Sequence, residues 1–302
     1  MKVKIILNPY ANRWGAKALI PAVQNAFTSA GLPFDLAVTG RPGQAIEEAR
    51  MAGTGGYDAV VAAGGDGTVN EVVNGLIAAS GDEPTLPLGV LPAGTGNDFN
   101  DMAGLPREMA AAVQIIARGK TRQLDAGRVI AHNSPLVDRY FDNNCALAME
   151  PMVTLENIRM TRLSGNIRYV AALARALLKL KAWQMQISWD GGGYEGPAYL
   201  LSVCNSPRTG GLFLMAPGAL MDDGLFDFIF APEMPKRDVL AILPRLFKGT
   251  HIQHPKVTAG RTAHLTIHSN PGTPIHADGE LIAEAATMVE YQILPGKITL
   301  LS

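Results

Sequence analysis

The chain has 302 residues, 47% of them hydrophobic and 18% charged, with a formal net charge of −1. That length and apolar content suffice for two folded cores and exclude a disordered chain. The near-neutral balance gives no global basic field and so argues against nucleic acid as the main partner; the two cysteines, Cys145 and Cys204, exclude a cysteine-rich zinc module and argue against a disulfide framework.

No apolar run approaches the roughly 18 residues of a membrane span. The N-terminal run 2–7 reaches Asn8-Pro9 at once, too soon for a signal peptide. We therefore expect a cytoplasmic protein that meets any membrane from outside. The low charged fraction suits either a compact enzyme or one that faces an apolar substrate.

From residue 3 to about 124, strands and helices alternate. Residues 3–7 read as a strand, and Ala16, Leu19, Ile20, Val23, Ala26 and Phe27 mark a helix that Gly31 ends. A strand over 34–38 and a short helix over 43–52 follow. The run 59–63 is continuous and β-branched, as in a parallel strand covered on both faces. It leads into Gly64-Gly65-Asp66-Gly67-Thr68, after which Val69, Val72, Val73, Leu76 and Ile77 share one helix face. Three glycines in four positions bring bare N–H groups to a helix N-terminus, where a phosphate is favoured. Asp66 would repel that phosphate unless a cation or a transferable proton lies between them. It therefore implies a metal ion or a hydroxyl, unless Asp66 or Thr68 merely caps the helix. A strand over 86–91 and a helix over 108–117 complete an open, mostly parallel α/β sheet. Ligands of such sheets bind beyond the carboxyl ends of the strands. Four polar loops lie there, at 8–12, 39–45, 64–68 and 92–99.

Beyond about residue 124 the period becomes two. Trp183, Met185, Ile187 and Trp189 alternate with polar residues, as do Ala263, Leu265 and Ile267. Strands over 225–230 and 287–294, with a helix over 236–247, suggest a mainly antiparallel β-sandwich. A last strand over 297–301 returns to the first domain. The expected domains are 1–124 completed by 295–302, and 125–294. Between Ile158 and Trp183 lie Arg159, Arg162, Arg168, Arg175, Lys179 and Lys181 with no acidic residue among them. A basic amphipathic helix here suits either an anionic membrane surface or packing on the protein itself.

The loops at Asn8-Pro9, Gly64 to Thr68 and Gly94-Thr95-Gly96-Asn97-Asp98-Phe99 resemble the diacylglycerol kinase catalytic family, which includes soluble bacterial lipid kinases and the sphingosine and ceramide kinases. The resemblance extends through Thr39 with Gly43 and Ala45, Gly210-Gly211, the run from Ala216 to Leu225, and Asp278-Gly279-Glu280. It implies ATP in an interdomain cleft, near Asn8, Thr39, the loop Gly64, Gly65, Asp66, Gly67, Thr68, Asn70 and Glu71, and Thr95, Gly96 and Asn97. It also implies a metal, Mg²⁺ or Ca²⁺, on the Asp223 carboxylate and the carbonyls of Leu220 and Leu225, more structural than catalytic. Glu280 is implied as the base, with Asp66 acting through Mg²⁺, although the sphingosine kinases favour Asp66 as base. The stretch Asn12-Arg13-Trp14-Gly15 departs from the family, which usually places a glycine sooner.

The expected function is an ATP- and Mg²⁺-dependent lipid kinase acting on diacylglycerol or a related lipid alcohol, peripheral at the inner membrane surface. A free sheet edge in the second domain permits a homodimer. NAD kinase shares the GGDGT loop, but its glycine-leucine-glycine-phenylalanine stretch has no equivalent here. A catalytically silent nucleotide-binding regulator is the rival from another class.

Overall fold

The computed structural model describes all residues except 12–14, 95, 134 and 161–164. The chain forms two compact units, Met1–Ala126 with Pro295–Ser302, and Gly127–Leu294.

In the first unit, β1 (Val3–Leu7) pairs in parallel with β2 (Phe34–Val38) and β3 (Ala59–Gly64), and β3 with β4 (Leu88–Pro92). The end of β13 (Glu280–Leu301) adds in parallel to β4 through Leu300 and Leu88. Every residue of β3 is buried, which explains its unbroken apolar run. Helices α1 (Ile20–Ser29) and α5 (Met109–Arg118) close one core over Val3, Ile5, Leu7 and Val61. The segment 16–19, expected at the start of α1, is part of a 3₁₀ turn, Gly15–Leu19; Pro21 then occupies the first turn of the α-helix.

Helix α3 (Asp66–Ser80) carries the buried face expected of it and packs closely on α2 (Gln44–Thr54). Gly75 makes that approach possible. A methyl there would meet the Ile46 carbonyl oxygen and lie 2.7 Å from the Ala49 methyl. Gly75→Ala should therefore lower stability by about 2 kcal/mol, although alanine is the better helix former by about 1 kcal/mol. Urea melts of the two proteins check this.

The second unit is antiparallel. Its strands are β5 (Thr121–Ala131, which begins in the first unit), β6 (Val137–Phe141), β7 (Asn144–Ala148), β8 (Trp183–Trp189), β9 (Gly192–Cys204), β10 (Phe226–Pro232), β11 (Thr258–Thr262), β12 (His264–Ala277) and the start of β13. Strands β9 and β12 change partners midway: each pairs with β8 at one end and β7 at the other. Their inward faces form one core around Phe141, Ile187, Leu201, Phe228 and Tyr291.

The described residues of this unit include three α-helices: α6 (Met149–Arg159), α7 (Gly165–Leu178) and α8 (Lys236–Ile242). The basic segment, read as one helix, thus comprises the end of α6 and all of α7; Arg162 falls outside the described residues. The helix expected over 236–247 stops at Ile242, because Pro244 cannot continue the ladder, and a 3₁₀ turn, Leu243–Lys248, follows.

Candidate active site

Parallel register brings the ends of β1, β2, β3 and β4 side by side, with Leu7 opposite Val38 and Ala63, and Gly64 opposite Pro92. The loops that follow are tied to one another. Asn8 donates from Nδ2 to Thr68 Oγ1 at 3.1 Å, and its Oδ1 accepts from Tyr10 N at 3.0 Å. Thr39, buried, donates its N–H to the Leu7 carbonyl at 2.9 Å. Gly64 accepts from Ala93 N at 2.8 Å, and Gly94 rests on Gly65 backbone to backbone, where any side chain would collide. These glycines are required by close packing and not by the turn, since none of them has a left-handed φ.

Neither Asp66 nor Thr68 caps α3: its N-cap, Gly65, offers no side chain, so the first turn, with Gly67, has no side-chain cap. Asp66 instead accepts from Phe99 N at 3.1 Å, at the start of α4 (Asp98–Met102). Burial pushes the Asp66 carboxyl above its ordinary range, and the neighbouring Asp98 carboxylate pushes the same way against the amides of Asp98, Phe99 and Asn97. A methyl at Gly96 would lie 2.9 Å from Asp66 Oδ2, so a side chain there would displace that carboxylate. Asn97, left-handed at φ 61°, bonds the Gly94 amide and carbonyl, both at 3.1 Å, and shapes this loop. Thr95 lies outside the described residues, as do Asn12, Arg13 and Trp14.

Two nucleotide candidates are engaged within the protein. The Glu71 carboxylate accepts from Gly43 N at 3.0 Å and Ala45 N at 3.1 Å, capping α2 from α3 and fixing the loop after Thr39. Asn70 is buried and takes the Asn74 amide on its carbonyl at 2.9 Å and on Oδ1 at 3.2 Å.

In the second unit, Asp278 and Gly279 have φ of 45° and 82° and join Ala277 to Glu280, a two-residue hairpin of the type that Asp-Gly favours. Asp278 turns inward. Its Oδ1 accepts from Asn143 N at 3.0 Å and Asn144 N at 2.8 Å, its Oδ2 from Asp142 N at 2.8 Å. Burial pushes its carboxyl up to about 6, against these amides and the His276 ring. The folded state therefore holds this proton more tightly than the unfolded chain does. Its contribution to stability is full below pH of about 4 and is lost as pH rises through about 6. The stability difference between wild type and Asp278→Asn should vary across that window; denaturant melts at pH 4.5 to 7.5 measure it.

Glu280 opens β13 with its side chain 47% exposed, and Arg139 Nη2 of β6 lies 3.4 Å from its Oε2. Arg139 carries no local motif that would have singled it out. The same holds for Asn143 and Asn144, whose Asp-Asn-Asn run reads as a turn.

At the other predicted site, Asp223 Oδ1 accepts from Leu225 N at 3.1 Å across a turn with Gly224 at φ 74°, and its Oδ2 meets Arg261. Arg261 Nε also lies 3.4 Å from Asp227 Oδ2, which is buried and has no hydrogen bond. Burial pushes Asp227 up; Arg261 opposes this and Asp223 adds to it. Asp223 and Asp227 thus share the Arg261 guanidinium. Among the described residues no three acidic, histidine or cysteine side chains cluster for a metal, so carbonyls such as those of Leu220 and Leu225 would have to complete the shell.

Comparison with known proteins finds two family models in order along the chain. The diacylglycerol kinase catalytic domain matches residues 2–129, and the YegS C-terminal NAD kinase β-sandwich-like domain matches residues 147–302. A diacylglycerol kinase of Staphylococcus haemolyticus is 32% identical over 92% of this chain and 81% of its own. One from Staphylococcus epidermidis is 31% identical over 92% and 85%. A solved Bacillus anthracis chain superposes with a TM-score of 0.80 at 21% identity, over 99% of this chain and 94% of its own, and so shares the fold. With both profiles matched in order and relatives aligned over nearly its whole length, the chain belongs to the diacylglycerol kinase catalytic-domain family.

Proposed function

We propose that the protein transfers the γ-phosphate of ATP to the hydroxyl of a lipid alcohol such as diacylglycerol. The observation that carries the lipid is an apolar recess in the second unit, lined by Leu200, Ile229, Met234, Val239, Ile242, Leu243 and Leu246 among others, with Tyr199 and His251 its polar residues among those described. Such a lining suits an acyl chain and not a nicotinamide nucleotide, which argues against the NAD kinase alternative.

The phosphates would lie on the uncapped first turn of α3, between the loops of Asn8, Thr39, Thr68 and Gly96-Asn97, while Glu71 holds the α2 end of that rim. Mg²⁺, when bound, neutralises phosphate charge, and Asp66 is the carboxylate suited to hold it. Glu280, exposed and steered by Arg139, takes the hydroxyl proton. Asp278 holds the turn that presents Glu280. At the Asp223 turn a second cation would be structural.

Exposed apolar side chains flank the recess. Ile167, Val170 and Leu178 of α7 and Leu240 and Phe247 near α8 are each about half or more exposed, and Tyr169 and Leu173 pack with Leu243 and Leu246 in one cluster. Glu156, covered by Arg159, Arg175 and Lys179, gathers three cations on the α6–α7 pair. This surface suits peripheral contact with an anionic inner membrane.

Filling the recess tests the reading. Val239→Trp should lower phosphorylation of a dioleoyl diacylglycerol about tenfold or more while a dihexanoyl one stays within about twofold. Equal rates on both, unchanged from wild type, would remove the recess from the lipid site.

A further inference from the structure

Two buried ionisable side chains stand just behind the hairpin that presents Glu280, and the chemistry above does not use them. His276 lies on β12, two residues before Asp278, and is 2% exposed; Glu150, second residue of α6, is 6% exposed. Gly279 donates its N–H to His276 Nδ1 at 3.2 Å. That nitrogen is therefore the acceptor, and the ring proton sits on Nε2. Nε2 lies 3.4 Å from Glu150 Oε1, close to the carboxylate although out of line for a full hydrogen bond. Oε1 also accepts from Asn144 Nδ2 at 2.8 Å, and the Asn144 backbone amide is one of the three that hold Asp278. Glu150 thus reaches both sides of the turn, through His276 to Gly279 and through Asn144 to Asp278.

A stability role explains this poorly. A buried carboxylate is seldom better than packed apolar residues, and Glu150 Oε2 is buried with no hydrogen bond at all. The backbone leading to Glu150 is strained as well. Ala148 has φ 69° and ψ −111°, a glycine conformation, and is held by Thr273 Oγ1 on its N–H at 3.1 Å. Strain and costly burial beside one hairpin mark a constrained site.

We infer that Glu150 and His276 are positioning residues, fixing the Gly279 amide and with it the direction from which Glu280 meets the acceptor hydroxyl. This rests on Glu280 acting in the transfer, as proposed above. His276→Phe keeps the ring volume and removes both nitrogens. With labelled ATP and diacylglycerol in mixed micelles it should lower kcat about 100-fold and leave the KM for ATP within about twofold. His276→Gln, which restores an acceptor, should recover most of the loss. In a Glu280→Gln background the Phe substitution should add nothing, because there is no longer a carboxylate to aim.

Exchange of the Gly279 amide, followed by mass spectrometry of the 275–283 peptide, gives a readout without turnover. It should quicken in His276→Phe and in Glu150→Gln, the second variant serving if the first does not fold. Wild-type exchange, or equal slowing of the Glu280→Gln protein by the Phe substitution, overturns the inference. Should Glu280→Gln itself transfer phosphate at the wild-type rate, or no lipid be labelled, the proposed role of Glu280 fails instead. The exchange rates then decide alone whether the pair holds the turn.

Discussion

Asp66→Asn is expected to reduce turnover by about three orders of magnitude, the scale of losing one charge-stabilising group in phosphoryl transfer, while the protein remains folded. The carboxylate is half-buried, and that burial together with Asp98 opposes its charged form. A neutral side chain relieves that repulsion and still offers an oxygen to the Phe99 amide at the start of α4. What it lacks is the negative charge that holds a cation tightly. The Mg²⁺ concentration for half-maximal rate should therefore rise in the variant, and thermal melts should show a cooperative transition near that of wild type. A lost rate with unchanged Mg²⁺ dependence would move Asp66 to the role of base. A rate within tenfold of wild type would take it out of the site.

Glu280→Gln should lower kcat by a similar factor, in the upper part of the range for removing a general base, about 10²–10⁴. Here stability is barely at stake. The side chain is 47% exposed and its contact with Arg139 is a 3.4 Å surface pair, of a kind that contributes under about 1 kcal/mol. ATP affinity should be unchanged, since the amide meets the acceptor and not the nucleotide in this account. Single-turnover kinetics separate the two. A large loss of ATP affinity with normal single-turnover rate would contradict the assignment.

Much of the first unit was legible because its signals are local. A buried β-branched run, glycines and a 3.6-residue apolar face lie within twenty residues of each other, and they fold as β3 and α3. Alternation placed β8 on its observed bounds for the same reason: one face of the strand is buried and the other is not. The hidden parts depend on distant partners. Strand β7 is buried throughout and so does not alternate, and α6 carries Glu150, Pro151 and Glu156 on buried positions, which erases its apolar stripe. The cap that Glu71 places on α2 spans 28 residues and has no spacing rule. Asp278-Gly279 drew attention through family resemblance, whereas its physical signal, a two-residue hairpin, is the one that explains the left-handed backbone there.

The central claim is that phosphate leaves ATP for a lipid hydroxyl. Incubating the protein with γ-labelled ATP, Mg²⁺, a panel of diacylglycerol, phosphatidylglycerol, sphingoid base and isoprenoid alcohol, and NAD in a parallel reaction tests it most directly. The account predicts label on at least one lipid hydroxyl, none on NAD, and loss of the lipid label in Glu280→Gln. Label on NAD, or ATP bound with no lipid phosphorylated, would contradict it.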